Sequence, residues 1–300
     1  MLEALIGGLA GLAPRGIWTK LANLSAQRMD GMFVEMGGLI YAFGGSNNNV
    51  NSPVADFKYY DPVAGSWTVK ATGPVARTQL CMCEADGKIW VHSGRSSSAQ
   101  IGDLWVYDPT ANTWTSKLAG TTRYSGAMAS WNGKLYVSSG WTNTAAADLR
   151  CYDIATNTWS TLSPYPGAGR TKTTLAAIDG KLYLVGGYSS TAQYLSDFWV
   201  YDIATDTWTQ LPDQPIGGLI GCRTAVLDGK LYLHGGRLVA GYSRMMWCYD
   251  PVEATWTQLA LASVGRQELF MASLPSTNEI YVAGGWNGTV QNDMWVFDAG

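Results

Sequence analysis

Short apolar runs rich in aromatic and β-branched residues alternate along this chain with stretches of Gly, Asn, Asp, Ser and Thr. The segment from Asp179 to Trp208 shows the pattern in full: DGKLYLVGGYSSTAQYLSDFWVYDIATDTW. It predicts a strand KLYLV, a Gly-Gly break, a polar loop, a strand FWVY, a tight turn and a strand beginning TWTQL. The same sentence recurs from end to end. An aromatic residue stands four positions before the last residue of a Gly-Gly or Ser-Gly pair at Tyr41, Trp90, Tyr136, Tyr183, Tyr232 and Tyr281. An aromatic-Asp pair follows at Tyr60-Asp61, Tyr107-Asp108, Tyr152-Asp153, Tyr201-Asp202, Tyr249-Asp250 and Phe297-Asp298. A Trp stands at Trp18, Trp67, Trp114, Trp159, Trp208 and Trp256, and each marker occurs six times at intervals of 45 to 49 residues. No single unit of this size buries its own faces, so neighbouring units must stack to make the core.

An apolar strand also precedes Asp179-Gly180 and Asp228-Gly229, pairs that suit tight hairpins. Each unit therefore has four strands, A to D, joined by an A–B hairpin, a longer B–C loop, a C–D turn of the DPTANTW type and a D–A linker. On the Gly-Gly pair, the Tyr-Asp pair and the spaced Trp, residues 17–300 resemble the kelch family. The resemblance implies an all-β, six-bladed propeller with one four-stranded antiparallel blade per repeat. The markers begin with a lone strand D, IWTKL, and end with strand C of the last unit at Phe297-Asp298. The N-terminal strand is thus expected to complete blade 6, formed by residues 266–298 plus 17–22, which removes the unpaired edges.

Composition fits this picture: of 300 residues, 47% are apolar and only 14% charged, with 14 Trp and 35 Gly for many short strands and turns. A net charge of −3 lacks the basic footprint of a nucleic-acid binder, and no apolar run is long enough to span a membrane. The five cysteines lack zinc-finger spacing. Cys151 and Cys248 fall where other repeats carry Val106, Val200 and Val296, so they read as small buried hydrophobes. Residues 1–16 are an apolar leader, MLEALIGGLAGLAPRG, with no basic start of the signal-peptide type. The expectation is a segment for docking on a scaffold or for self-association.

Candidate chemistry is concentrated at one end of the blades. An Arg precedes strand A at Arg28, Arg77, Arg123, Arg170 and Arg266, and an Asp opens strand C at Asp56, Asp103, Asp148, Asp197 and Asp293. Five guanidinium groups around one mouth suggest an anion site. Blade 5 argues instead for pairing within each blade, because it has Leu219 at the Arg position and Met245 at the Asp position, losing both together. The residue after the Gly-Gly pair varies in kind: Ser46, Arg95, Trp141, Tyr188, Arg237 and Trp286. Aromatic platforms beside polar loops suit sugar or protein recognition. With Tyr194, Arg223, Tyr242 and Arg244, the candidate ligand-binding set is Arg95, Trp141, Tyr188, Tyr194, Arg223, Arg237, Tyr242, Arg244 and Trp286, with blades 4 to 6 the place expected for an anionic group.

Catalytic chemistry is sparse. His92 and His234 are the only histidines, and they fall in blades on opposite sides of the expected ring. They cannot share a metal. Kelch-type copper radical oxidases need clustered His and Tyr ligands, which the chain does not supply. Glu35 and Glu84 match in position late in strand A and read as channel residues. The expectation is a non-catalytic recognition propeller that binds a protein or glycan through the face carrying the B–C and D–A loops, without cofactor, metal or nucleic-acid partner. Two alternatives stand beside it. One is a structural or host-attachment component of a larger particle, such as a virion or phage tail appendage, docked by the leader. The other is a carbohydrate-active enzyme such as a sugar epimerase. The leader's sequence leaves a cytoplasmic or particle-bound location.

Overall fold

The computed structural model describes residues 15–47 and 52–300, so the docking expectation for the leader lies outside the described residues, apart from Arg15 and Gly16. Six four-stranded antiparallel sheets follow one another along the chain as the blades of a propeller. Blade 4 shows the plan: Thr174–Ile178, Lys181–Val185, Phe198–Asp202 and Thr207–Leu211 pair in order from the axis outward. The A–B hairpins turn on Gly37-Gly38, Asp86-Gly87, Asn132-Gly133, Asp179-Gly180 and Asp228-Gly229, each with positive φ at both positions, the twist-compatible turn that Asn-Gly and Asp-Gly favour. At the C–D turns the Asp of each Tyr-Asp pair accepts backbone N–H bonds, as Asp108 does from Thr110 and Ala111.

The circle closes through the N-terminal strand. Ile17–Leu21 pairs antiparallel with Met294–Asp298, in register from Ile17 opposite Asp298 to Leu21 opposite Met294. The outer strand of blade 6 therefore comes from one end of the chain and its other three strands from the other end. Blade 5 departs from the plan. Its first two strands are longer, Ile220–Leu227 and Lys230–Leu238, and the second runs out into a small hairpin with Gly241–Tyr242.

The core lies between blades, not within them. Between blades 1 and 2, Tyr41, Phe43, Phe57, Met82, Tyr107 and half-buried Trp114 pack together, with the Phe57 and Tyr107 rings 4.6 Å apart. The repeated outer Trp staples blades as well as filling space. Trp114 donates its ring N–H to Ala71 O, Trp159 to Leu118 O, Trp208 to Ser163 O and Trp18 to Ala260 O, each acceptor in the preceding blade.

Two rings of backbone hydrogen bonds run around the axis at the end where strand A starts. In the outer ring, the second residue of each Gly-Gly or Ser-Gly pair donates to the Arg-position carbonyl of the next blade: Gly45 to Arg77, Gly94 to Arg123, Gly140 to Arg170, Gly187 to Leu219, Gly236 to Arg266 and Gly285 to Arg28, at 2.7–2.8 Å. The donors have φ of 88 to 109°, and a Cβ on Gly94 would meet Thr78 O at 2.9 Å, so glycine is required there. In the inner ring, Asp30, Gln79, Ser125, Lys172, Gly221 and Glu268 each donate N–H to the carbonyl of the preceding one, around a full circle at 2.7–3.0 Å. All six have φ between 53 and 64°.

Candidate functional site

The face where strand A begins carries the D–A linkers and the B–C loops, and the five Arg–Asp pairs organise it. Arg77 makes two parallel bonds to Asp103, 2.7 and 2.8 Å, and donates a third to Ser93 O. Arg123 with Asp148, Arg170 with Asp197 and Arg266 with Asp293 form the same fork at 2.6–3.0 Å, and Arg28 grips Asp56 in the same way. In each case the third bond goes to the carbonyl of the first residue of the Gly-Gly or Ser-Gly pair. The guanidinium groups are thus consumed within their own blades and buried, while the Asp side chains remain partly exposed, 16–39%. Burial acts against the charged forms of Asp197 and Asp293, but the bonds from Arg170 and Arg266 outweigh it and hold both carboxyls below their ordinary range.

Three of these aspartates also accept a ring N–H from the Trp two residues on: Trp105, Trp199 and Trp295, at 2.7–2.8 Å. Blade 5 lacks the pair, and its neighbourhood changes accordingly. Leu219 is fully buried in place of the guanidinium, Met245 replaces the acceptor, and the ring N–H of Trp247 is buried without a partner.

The residue opening each B–C loop has one backbone role and six side chains. Its backbone bridges to strand A or its lead-in: Ser46 to Met29, Arg95 to Thr78, Trp141 to Tyr124, Tyr188 to Thr171, Arg237 to Ile220 and Trp286 to Gln267. The ladder therefore fixes these Cα positions and leaves most of the side chains at the surface. Two groups form among the sequence-predicted residues. Tyr188 and Tyr194 sit edge to face across a two-residue ladder, 6.4 Å between ring centres. Tyr242 lies under the Arg237 guanidinium at 5.9 Å and accepts the Trp286 ring N–H at 2.9 Å, which ties blade 5 to blade 6. No hydrogen bond, ion pair or ring contact joins these two groups. Arg244 is exposed, and Arg95 and Trp141 belong to blades 2 and 3. Arg223 is not with the loop residues at all: it stands on the innermost strand and faces the axial channel.

That channel and its inner-ring end carry polar groups not singled out by the repeat pattern. Asp30, Lys172 and Glu268 belong to the inner hydrogen-bonded ring. Lys172 reaches across from blade 4 to an ion pair with Glu268 of blade 6. Burial, and then the charge of neighbouring Glu268, push the Asp30 carboxyl well above the carboxylate range. The available signal was positional: each of these residues stands two after the Arg-position residue of its repeat.

His92 and His234 are buried beneath the rings of Trp159 and Trp18, with Nδ1 against the carbonyls of Asp103 and Met245. Burial pushes both imidazoles down to about 4. All five cysteines are buried free thiols, and burial raises the Cys222 thiol to about 12. Glu35 and Glu84 line the channel and accept the N–H of Gly38 and Gly87 in their own hairpins. Among the described residues no three His, Cys, Asp or Glu side chains gather as a metal site, and no helix is long and apolar enough to cross a membrane.

The family model for the KLHDC2/KLHL20/DRC7 Kelch-repeats domain matches residues 22–170 and 164–300. The chain belongs to the Kelch-repeat family.

Proposed function

We propose that this Kelch propeller is a non-catalytic recognition module that binds a protein partner through the face carrying its B–C and D–A loops. One observation carries the reading: six B–C loops open on residues with the same backbone bridge but four different side-chain types, Ser, Arg, Trp and Tyr. Architecture accounts for the backbone and for the Trp286 bond to Tyr242; it does not account for the choice of Arg95, Trp141, Tyr188 and Arg237. Tyr, Trp and Arg are the side chains that dominate binding energy at protein interfaces. Arg237 and Arg244 have no carboxylate partner among the described residues, so an acidic segment of the partner fits blades 5 and 6. The buried, neutral histidines and the high thiol of Cys222 support a binding role over a catalytic one.

Selection from a displayed peptide library, run in parallel with a glycan array, tests this. Selected peptides are expected to lose at least ~30-fold in affinity on combining Arg237→Ala, Tyr242→Ala and Trp286→Ala, a loss of about 2 kcal/mol or more. Alanine at Thr110 and Thr205, on the C–D turns at the opposite end, is expected to change nothing. Peptides that respond to the turn variants and not to the loop variants would place recognition on the wrong face. Hits confined to the glycan array would make the ligand a sugar.

A further inference from the structure

The axial channel holds one cation that the architecture leaves uncompensated. The five Arg side chains at the Arg position each meet an aspartate in two bonds. Among the described residues Arg223 meets no acid in a hydrogen bond or ion pair: its one bond is from Nη1 to the neighbouring Cys222 O at 3.3 Å. The repeat does not explain it, since the same position on strand A holds Met32, Cys81, Ala127, Thr174 and Phe270 in the other blades. Nor do the acids at this end of the channel neutralise it; Glu35 and Glu84 line its other end, where they accept N–H bonds in their own hairpins. Glu268 is taken by Lys172, and Asp30 holds its proton to far higher pH than an ordinary carboxyl. While Asp30 is protonated, Lys172, Arg223 and Glu268 leave one net positive charge at the inner-ring end of the channel.

The space beside this charge is a cavity of about 330 Å³. That is room for roughly ten waters, or for a small metabolite at the lower end of ligand-pocket sizes. The hydroxyls of Thr174 and Thr224, bonded to each other at 2.5 Å, lie on its wall beside Arg223. At one end the inner ring runs around the axis, with the Lys172–Glu268 bridge joining the members on either side of Gly221. At the other, half-exposed Glu35, Glu84, Ser130 and Ser273 open it toward the A–B hairpins. A planar guanidinium facing a polar cavity, with hydroxyl donors alongside, is the geometry that grips an oxyanion. We propose that the channel binds a small oxyanion, a carboxylate- or phosphate-bearing molecule, against Arg223, entering from the A–B hairpin face. This site lies inside the channel beside the inner ring and shares no residue with the Arg237, Tyr242 and Trp286 group on the loop face.

Calorimetric titration of the full chain at constant ionic strength, with inorganic phosphate and separately with lactate, tests the assignment and tells the two oxyanions apart. Saturable binding of at least one probe is expected, weakened more than tenfold by Arg223→Met and less by Arg223→Lys, which keeps the charge but not the fork. Should Arg223→Met not fold, Thr224→Val takes its place, with a severalfold loss expected. Combined Arg237→Met and Arg244→Met should leave binding intact. Absence of saturable binding to both probes at millimolar concentration overturns the proposal, as does binding that follows Arg237 and Arg244 instead of Arg223.

Discussion

At the scale of single residues, the Arg–Asp fork shows how a buried charge can hold a loop in place. The Arg77 side chain is fully buried, and its bonds reach Asp103 on strand C and Ser93 O at the end of strand B. One side chain thus ties together the D–A linker and both ends of the B–C loop. Arg77→Met removes the cation, leaving the Asp103 carboxylate with only the Trp105 ring N–H and the Ser93 carbonyl without the Arg77 donor. Breaking a buried pair from one side costs about 3–5 kcal/mol. Asp103 keeps 27% of its side chain in water, so the expected loss in urea unfolding is near the lower end, roughly 3 kcal/mol. Adding Asp103→Leu should recover part of it, because blade 5 stands on a Leu and a Met at these two positions. A double variant no more stable than Arg77→Met would show that the pair is not the unit of stabilisation.

At the scale of elements, the strand Ile17–Leu21 matters out of proportion to its length. It supplies the outer edge of blade 6, and Trp18 fills the seam to blade 5 by packing on Phe297 and His234 and bonding Ala260 O. Trp18→Ala removes a large ring from a blade junction, a change of the kind that costs about 3–5 kcal/mol when a Trp is buried. Trp18 is only half-buried, so roughly 2–3 kcal/mol is expected. Amide exchange should rise first along Met294–Asp298, the strand it covers. Faster exchange confined to some other blade would place the weak seam elsewhere.

At the scale of the whole molecule, two separated histidines are expected to lower stability as the pH falls. His92 and His234 titrate at about 4 in the fold, against about 6.5 in the unfolded chain. Above pH 6.5 both states bind no proton on these groups and the full stability is present. Below it the unfolded chain takes up protons that the fold refuses, so stability is lost down to pH 4. By pH 5 each site accounts for roughly 2 kcal/mol. Asp30 works in the opposite direction, because its carboxyl is raised in the fold and binds its proton first there. Thermal midpoints between pH 7.5 and 5 should therefore drop, and drop further in Asp30→Asn, which removes the compensating group. A wild-type midpoint that rises toward pH 5 would contradict the burial of the two imidazoles.

The repeat was readable because the requirements behind it are local. Strand, hairpin and Asp-capped turn are set by residues a few positions apart, and the second position of each Gly-Gly pair needs a φ near 90–110° that only glycine takes easily. Ring closure by Ile17–Leu21 was also legible, since a lone strand D at one end and a unit ending in strand C at the other are complementary. The joint absence of Arg and Asp in blade 5, Leu219 and Met245, pointed to their contact, because internal repeats show covariation without any second sequence. What sequence could not supply was the axis. Asp30, Lys172, Arg223 and Glu268 are spread over almost the whole chain; Asp30, Lys172 and Glu268 each look like an ordinary polar residue in their own repeat, and Arg223 stood out only as one of the blade 5 arginines grouped with the loop. Only closing the circle brings them to one point, buries Asp30, pairs Lys172 with Glu268 and leaves Arg223 beside a polar cavity. The same closure separated Arg223 from Arg237 and Tyr242, which lie near it in sequence, because innermost strand and B–C loop are different places on one blade. Local chemistry determined the blade; the convergence of six blades on one axis decided which charges meet.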